Sequence, residues 1–79
     1  MPITSEMLEN WFIYHAPEGN VAGKPISKIE AYQRIRDAGK EFAQYVVLCT
    51  PECADQTATI RLIRQAVMTA NQAIACGGR

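Results

Sequence analysis

Three groups of side chains in this sequence have the types and the spacing needed to bind a phosphate-bearing ligand. Arg36 and Lys40 are four residues apart, and on a helix this spacing places both side chains on one face. Arginine offers a phosphate a two-pronged hydrogen bond, and lysine offers it a point charge. Tyr14 offers a flat ring on which a base can stack, at about 1–3 kcal/mol per base. Arg61 and Arg64, three residues apart, would be neighbours on a helix surface.

Each of these groups also has an ordinary structural explanation. Tyr14 fits a core or interface aromatic residue equally well. The two cationic pairs also fit solvated helix faces, and Asp37 and Glu41 alternate with the first pair in the sequence. From the residues alone, the ligand-binding and the structural interpretations therefore both stay open.

The sequence lacks the residue patterns of a recognisable active site. The single histidine, His15, would need one of the three cysteines beside it to form a catalytic dyad, and we predict instead that the cysteines are small buried or half-buried thiols. A zinc site built from Cys49, Cys53 and His15 would lack a fourth ligand. No metalloprotease helix motif, Walker motif or glycine-rich phosphate loop occurs. We therefore predict a protein that is not an enzyme and that has neither a metal nor a cofactor.

The charge balance narrows the classes of partner. Eight basic and eight acidic residues give a net charge of zero, which disfavours a general DNA binder held by counterion release. No acid follows Asp55, however, so the last third of the chain can present a cationic face to a compact anion with a few phosphates. No secretion signal and no apolar run of roughly 20 residues is found, so we predict a cytoplasmic protein that does not bind membranes.

The elements that must position these residues are helices. A short helix is predicted to begin near Thr4 or Ser5, with an apolar stripe in which Trp11 and Phe12 anchor the chain before Tyr14. A long helix is predicted after Ser27, which forms a capping box with Glu30. Its predicted buried seam comprises Ile29, Tyr32, Ile35, Phe42, Val46 and Cys49, with Gly39 permitting close approach of a neighbouring helix.

A third helix is predicted to begin between Thr50 and Asp55 and to end at Cys76, where Gly77 suits a left-handed cap. The fold class is therefore all-α: a short N-terminal helix followed by a long antiparallel αα-hairpin, in a single domain of residues 1–79. A chain of this size buries only about 60% of its extended surface, yet 48% of its residues are hydrophobic. We therefore expect a compact helical homo-oligomer.

Four segments together resemble a known family. They are the Y-H-x-P segment at Tyr14–Pro17, the Y-x-x-I-R segment at Tyr32–Arg36 with Ala43 downstream, Thr50-Pro51, and the A-V-M-x-A-N-x-A-I-A segment at 66–75. The chain is similar over nearly its whole length to phage anti-CBASS cyclic-oligonucleotide sponges, whose helical domain resembles that of anti-Thoeris sponges.

The resemblance implies a homohexamer that binds cyclic dinucleotides such as cyclic GMP–AMP between protomers, and cyclic trinucleotides such as cyclic tri-adenylate at separate sites. The ligand would be held intact in the cytoplasm of the infected bacterium, so that an immune effector is not activated. In the dinucleotide pocket the resemblance implies base stacking by Tyr14, within a motif that includes His15 and Pro17, and phosphate contact by Arg36. The spacing adds Lys40 to that pocket. The trinucleotide candidates are Arg61 and Arg64.

Two departures and three alternatives accompany this interpretation. The connection from Asn20 to Ser27 is longer than expected, which predicts a different lid on the pocket, and the two arginines of the last helix predict a shifted ligand preference. A sponge for the cyclic ADP-ribose-type signals of Thoeris is the first alternative. A helical protein–protein adaptor or inhibitor with an apolar groove is the second. A small transcription regulator is disfavoured by the zero net charge and by the lack of a helix-turn-helix pattern.

Overall fold

The structure is a computed structural model that describes residues 2–13, 15 and 17–78. This part of the chain contains three helices: α1 (Ser5–Phe12), α2 (Lys28–Cys49) and α3 (Ala54–Cys76). It contains no strand, only an isolated bridge between Asn20 and Ser27 in the α1–α2 loop. The prediction of an all-α chain with a short first helix and a long hairpin is confirmed. None of the described helices is both long enough and apolar enough to span a membrane.

The first two helices begin where local capping chemistry predicts. The Thr4 hydroxyl accepts a hydrogen bond from the Met7 backbone N–H at 3.2 Å, and the Ser27 hydroxyl accepts one from the Glu30 N–H at 3.2 Å. The Glu30 carboxylate accepts a hydrogen bond from the Arg34 guanidinium at 2.9 Å, one turn further along α2. Each cap therefore fixes the start of its helix through a hydrogen bond between residues only three positions apart in the sequence.

The third helix begins at Ala54, within the predicted interval from Thr50 to Asp55, but neither of those two residues caps it. The residue that precedes α3 is Cys53, which makes no side-chain capping bond. Thr50 instead closes α2, where its hydroxyl donates to the Val46 carbonyl at 2.6 Å. Gln56 then donates to the Thr50 carbonyl at 3.1 Å and ties the first turn of α3 to the end of α2. Thr50 is unavailable to α3 because it already caps the preceding helix.

The hairpin has a thin core. The buried hydrophobic residues of the described chain are Ala31 and Val46 of α2 and Ile63 and Cys76 of α3. Gly39 lies where the two helices approach each other closely, because a Cβ atom built there would be only 2.5 Å from Val67 Cγ2. The prediction that Gly39 permits a close neighbour is confirmed.

The predicted buried seam of α2 is confirmed for Val46, which is buried, and is wrong for Ile29, Phe42 and Cys49. Ile29 is 61% exposed and Phe42 is 58% exposed, and Cys49 is exposed as well. A long helix with one partner buries only the narrow stripe that faces that partner, and the flank carrying Phe42 lies beside α3 rather than under it. Ile29 and Phe42 therefore remain exposed apolar side chains.

The first helix packs on the end of α3 through only part of its apolar stripe. Met7 and Trp11 are half-buried, whereas Leu8 is 47% exposed and Phe12 is 85% exposed. The expectation that Phe12 helps to anchor the following chain is therefore wrong, because α1 contacts α3 on one side only. Gly77, with a φ of 65°, ends α3 in the left-handed conformation, as predicted.

Candidate functional site

A groove between α2 and α3 brings together three of the predicted cationic residues. Arg36 and Lys40 of α2 and Arg64 of α3 line this groove, which has a volume of about 350 Å³. Gly39 and Val67, at which the two helices are in close contact, also line it. The antiparallel register explains the grouping, because Arg64 is one turn before the residue that faces Gly39. We call this surface the cationic groove.

The electrostatics of the cationic groove favour an anion. Its three basic side chains are exposed, and none of the described residues that line it is acidic. Asp37 and Glu41 alternate with the basic residues in the sequence but do not line the groove. The salt bridge found among the described residues joins Arg34 to Glu30 elsewhere on α2. The groove therefore presents three positive charges that no described acid neutralises.

The other predicted site residues have different positions. Arg61 is exposed but does not line the cationic groove, so the structure groups Arg64 with the α2 pair and not with Arg61. Pro17 is exposed in the α1–α2 loop. Tyr14, the predicted stacking residue, lies outside the described residues. The partnership of Arg64 with Arg36 was missed by sequence reasoning, because it depends on the register between the two helices.

His15 lies at the end of α3 and its ring is already engaged. The ring is half-buried, its Nε2 atom is 2.6 Å from the Asn10 carbonyl oxygen, and it is 3.8 Å from Cys76 Sγ. A carbonyl oxygen only accepts hydrogen bonds, so the Nε2 atom must carry the hydrogen of the shorter contact. The same nitrogen therefore has no lone pair with which to take a proton from the Cys76 thiol.

The cysteines do not form a reactive cluster with this histidine. Cys49 and Cys53 are at the α2–α3 turn, at the opposite end of a 23-residue helix from Cys76, a separation of about 35 Å along the axis. The predicted burial of the thiols is confirmed for Cys76 and is wrong for the two at the turn, which are exposed. Across the described chain, no three His, Cys, Asp or Glu side chains come together in a group able to hold a metal ion.

The other face of the hairpin carries an apolar groove of about 550 Å³. Its lining includes Ile35 and Phe42 from α2 and Leu62, Ala66 and Ala70 from α3. Phe42 and Leu62 are 58% and 64% exposed, so large apolar groups stand beside small ones. Apart from Thr59, the described residues that line this groove have no polar side chain.

Asn71 is a polar position that sequence reasoning missed. Its Oδ1 atom is buried and accepts no hydrogen bond from the described residues. Asn71 is seven residues after Arg64 and so shares a face of α3 with it. An unsatisfied buried acceptor costs about 1–3 kcal/mol.

Comparison with known proteins gives one family. The family model described as Acb2/Tad1, hairpin domain, matches residues 6–75, which is all of the chain except its first five and last four residues. No curated protein and no solved structure matches. The matched region contains all three helices except the first residue of α1 and the last residue of α3.

Proposed function

The chain belongs to the Acb2/Tad1 hairpin-domain family, that of the anti-CBASS and anti-Thoeris sponges, and on that premise we propose that it sequesters cyclic di- and trinucleotide messengers without degrading them. Family membership itself implies a sponge for cyclic oligonucleotide signals. The class of messenger, its retention in an intact form and its capture in the cytoplasm of a phage-infected bacterium are parts of the proposal. A captured messenger cannot activate the CBASS effector.

The observation that carries the proposal is the cationic groove. Arg36, Lys40 and Arg64 surround one space with three positive charges and no acid among the described residues that line it. A cyclic trinucleotide carries three phosphodiester charges, which equals this number of cations, and a cyclic dinucleotide carries two, so the three cations can neutralise either class. Hydrogen bonds to charged groups contribute about 1.5–3 kcal/mol each when water is excluded and less when the groups stay exposed.

Retention without degradation is supported by what the groove contains. The described residues that line it include no carboxylate, no imidazole and no thiol, which are the side chains that most often transfer protons or attack phosphorus. The imidazole of His15 is engaged at the end of α3. We therefore propose binding and not hydrolysis.

Self-assembly completes the proposed site. Four buried apolar side chains form the described core, while eleven large apolar side chains stay exposed. We propose that a second copy of the chain covers the apolar groove and that the assembly is a homohexamer. In it, the Tyr14, His15 and Pro17 motif of one subunit would approach the cationic groove of another. Symmetry would then repeat Arg61 and Arg64 around a trinucleotide.

The groove is tested by titration calorimetry with cyclic GMP–AMP, cyclic tri-adenylate and cyclic ADP-ribose. We expect Arg36→Ala to weaken cyclic GMP–AMP binding by about tenfold or more, because one charged hydrogen bond is lost. Arg64→Ala should weaken both nucleotide classes, and Arg61→Ala should weaken the trinucleotide alone. Arg34→Ala is the matched control, since it removes an arginine from the same helix but outside the groove.

Three outcomes would count against the proposal. Equal losses in Arg34→Ala and Arg36→Ala would show that only the overall charge matters. Binding of cyclic ADP-ribose alone would favour the Thoeris signal. Binding of none of the three ligands, with the hairpin folded, would favour the adaptor that acts through the apolar groove.

A further inference from the structure

A hydrogen-bonded network joins the end of α1 to the end of α3. The Asn10 side-chain amide donates to the Cys76 carbonyl at 3.0 Å, and the Asn10 carbonyl accepts from His15 Nε2 at 2.6 Å. Gln72 donates both to the Trp11 carbonyl at 3.3 Å and to Cys76 Sγ at 3.1 Å. We call Asn10, His15, Gln72 and Cys76 the α1 clamp. It connects residues as many as 66 positions apart in the sequence.

The clamp donates hydrogen bonds to backbone carbonyls at two helix ends. Asn10 and Cys76 belong to the last turns of α1 and α3. His15 donates to the Asn10 carbonyl, and the Asn10 side chain donates to the Cys76 carbonyl. The hydrogen of His15 Nε2 is thereby directed into the protein and away from solvent.

The first helix depends on this network for its position. It has eight residues and none of them is buried, and a helix of that length does not persist alone in water. The residue that follows α1, Ile13, is held by its N–H bond to the Glu9 carbonyl at 3.1 Å, and His15 is held by the clamp. The two chain neighbours of Tyr14 are therefore both fixed to α1.

From this arrangement we infer that His15 is a positioning residue for ligand capture and not a ligand contact. It acts through Asn10 and the end of α3 by holding α1 docked on α3. This inference rests on the proposed function, because the docking of α1 matters for capture only if this end of the molecule contributes to a nucleotide pocket. Its role differs from the ligand contact that the motif alone suggests for a histidine beside a stacking tyrosine.

The inference relates the apparent Kd for the ligand to the rate at which the Cys76 thiol is labelled. If only the docked form of α1 binds ligand, the apparent Kd equals the intrinsic Kd divided by the docked fraction. The open form exposes Cys76, which is 7% exposed when α1 is docked, so the rate of thiol labelling reports the open fraction. Loss of the clamp must therefore weaken binding and accelerate labelling together.

The experiment uses a background in which the exposed thiols are removed by Cys49→Ser and Cys53→Ser, so that Cys76 is the only cysteine. In this background, His15→Ala should raise the Kd for cyclic GMP–AMP about tenfold and accelerate maleimide labelling of Cys76 by several-fold. His15→Gln should stay within about twofold of the background for both readouts, because its side-chain amide can still donate to the Asn10 carbonyl. Helix content from circular dichroism checks that each variant is folded.

The outcomes separate a positioning role from direct contact. Weaker binding in His15→Ala with unchanged Cys76 labelling would show that His15 contacts the ligand, and it would overturn the inference. Faster labelling with unchanged affinity would overturn it as well, because the clamp would then position nothing that matters for capture. If the background protein binds no cyclic nucleotide, the proposed function fails, and the labelling rates still decide separately whether His15 holds α1.

Discussion

Replacement of Gly39 by alanine tests the helix packing that places Arg36 and Arg64 around one groove. The new Cβ would be 2.5 Å from Val67 Cγ2, whereas apolar carbon atoms attract best at about 3.5–4.0 Å. Val67 is β-branched, and its side chain has one strongly preferred rotamer in a helix. The contact is therefore relieved only by moving the helices apart by about 1 Å or by forcing Val67 out of that rotamer.

The expected change in stability on replacing Gly39 by alanine is the sum of two opposing effects. Overpacking a close contact costs about 1–3 kcal/mol, and replacing a mid-helix glycine by alanine gains about 0.8–1.0 kcal/mol in helix propensity. We expect Gly39→Ala to destabilise the protein by about 1 kcal/mol, which lowers the Tm by roughly 4–8 °C for a domain of this size. A separation of the helices should also weaken cyclic GMP–AMP binding, because the cationic groove lies on this contact.

The matched control is the same substitution in a Val67→Ala background. Removal of Val67 Cγ2 leaves Val67 Cβ and Ile63 Cγ2 as the near atoms, each at 3.9 Å from the new Cβ, which is an ordinary contact. In that background, Gly39→Ala should stabilise the protein by about 1 kcal/mol, because only the propensity gain remains. The four proteins of this double-mutant cycle are the natural sequence, Gly39→Ala, Val67→Ala and the double variant. Urea unfolding of all four at one protein concentration measures the cycle. The reasoning is refuted if Gly39→Ala has the same sign in both backgrounds.

Two further predictions concern the helix cap and the assembly. Ser27→Ala should lower the free energy of unfolding by about 1 kcal/mol and Ser27→Gly by only a few tenths, because the Ser27 hydroxyl caps α2; equal losses in urea unfolding would exclude a capping role. Phe42→Glu should shift the sedimentation coefficient toward that of a monomer, because it places a charge in the apolar groove. Leu48→Glu makes a similar exchange on the same helix outside that groove and should leave the assembly unchanged.

Much of the fold could be predicted because its determinants are local. The Thr4 and Ser27 caps and the left-handed Gly77 each act within a few residues, and apolar spacing identifies the helices between them. The burial of individual side chains was less predictable. Phe42 fits the periodicity of a buried seam, yet a single partner helix cannot cover that flank, and it is 58% exposed.

The candidate site was predictable only in part, because some of its residues are brought together by contacts between distant parts of the chain. Arg36 and Lys40 share a face through simple helical spacing, so sequence alone paired them. The addition of Arg64 requires the register set by the Gly39–Val67 contact, and no local pattern encodes that register. The network around His15 likewise depends on the hydrogen bond between Asn10 and Cys76, which are 66 residues apart in the sequence.

The central proposal, capture without degradation, is tested most directly by recovery of the ligand. The protein is mixed with cyclic GMP–AMP, separated from free nucleotide by filtration, and heated to denature it, and the released material is identified by mass spectrometry. We predict that the nucleotide is retained by the folded protein and is released as the intact cyclic molecule. Passage of the nucleotide through the filter, or release of a linear product, would contradict the proposal.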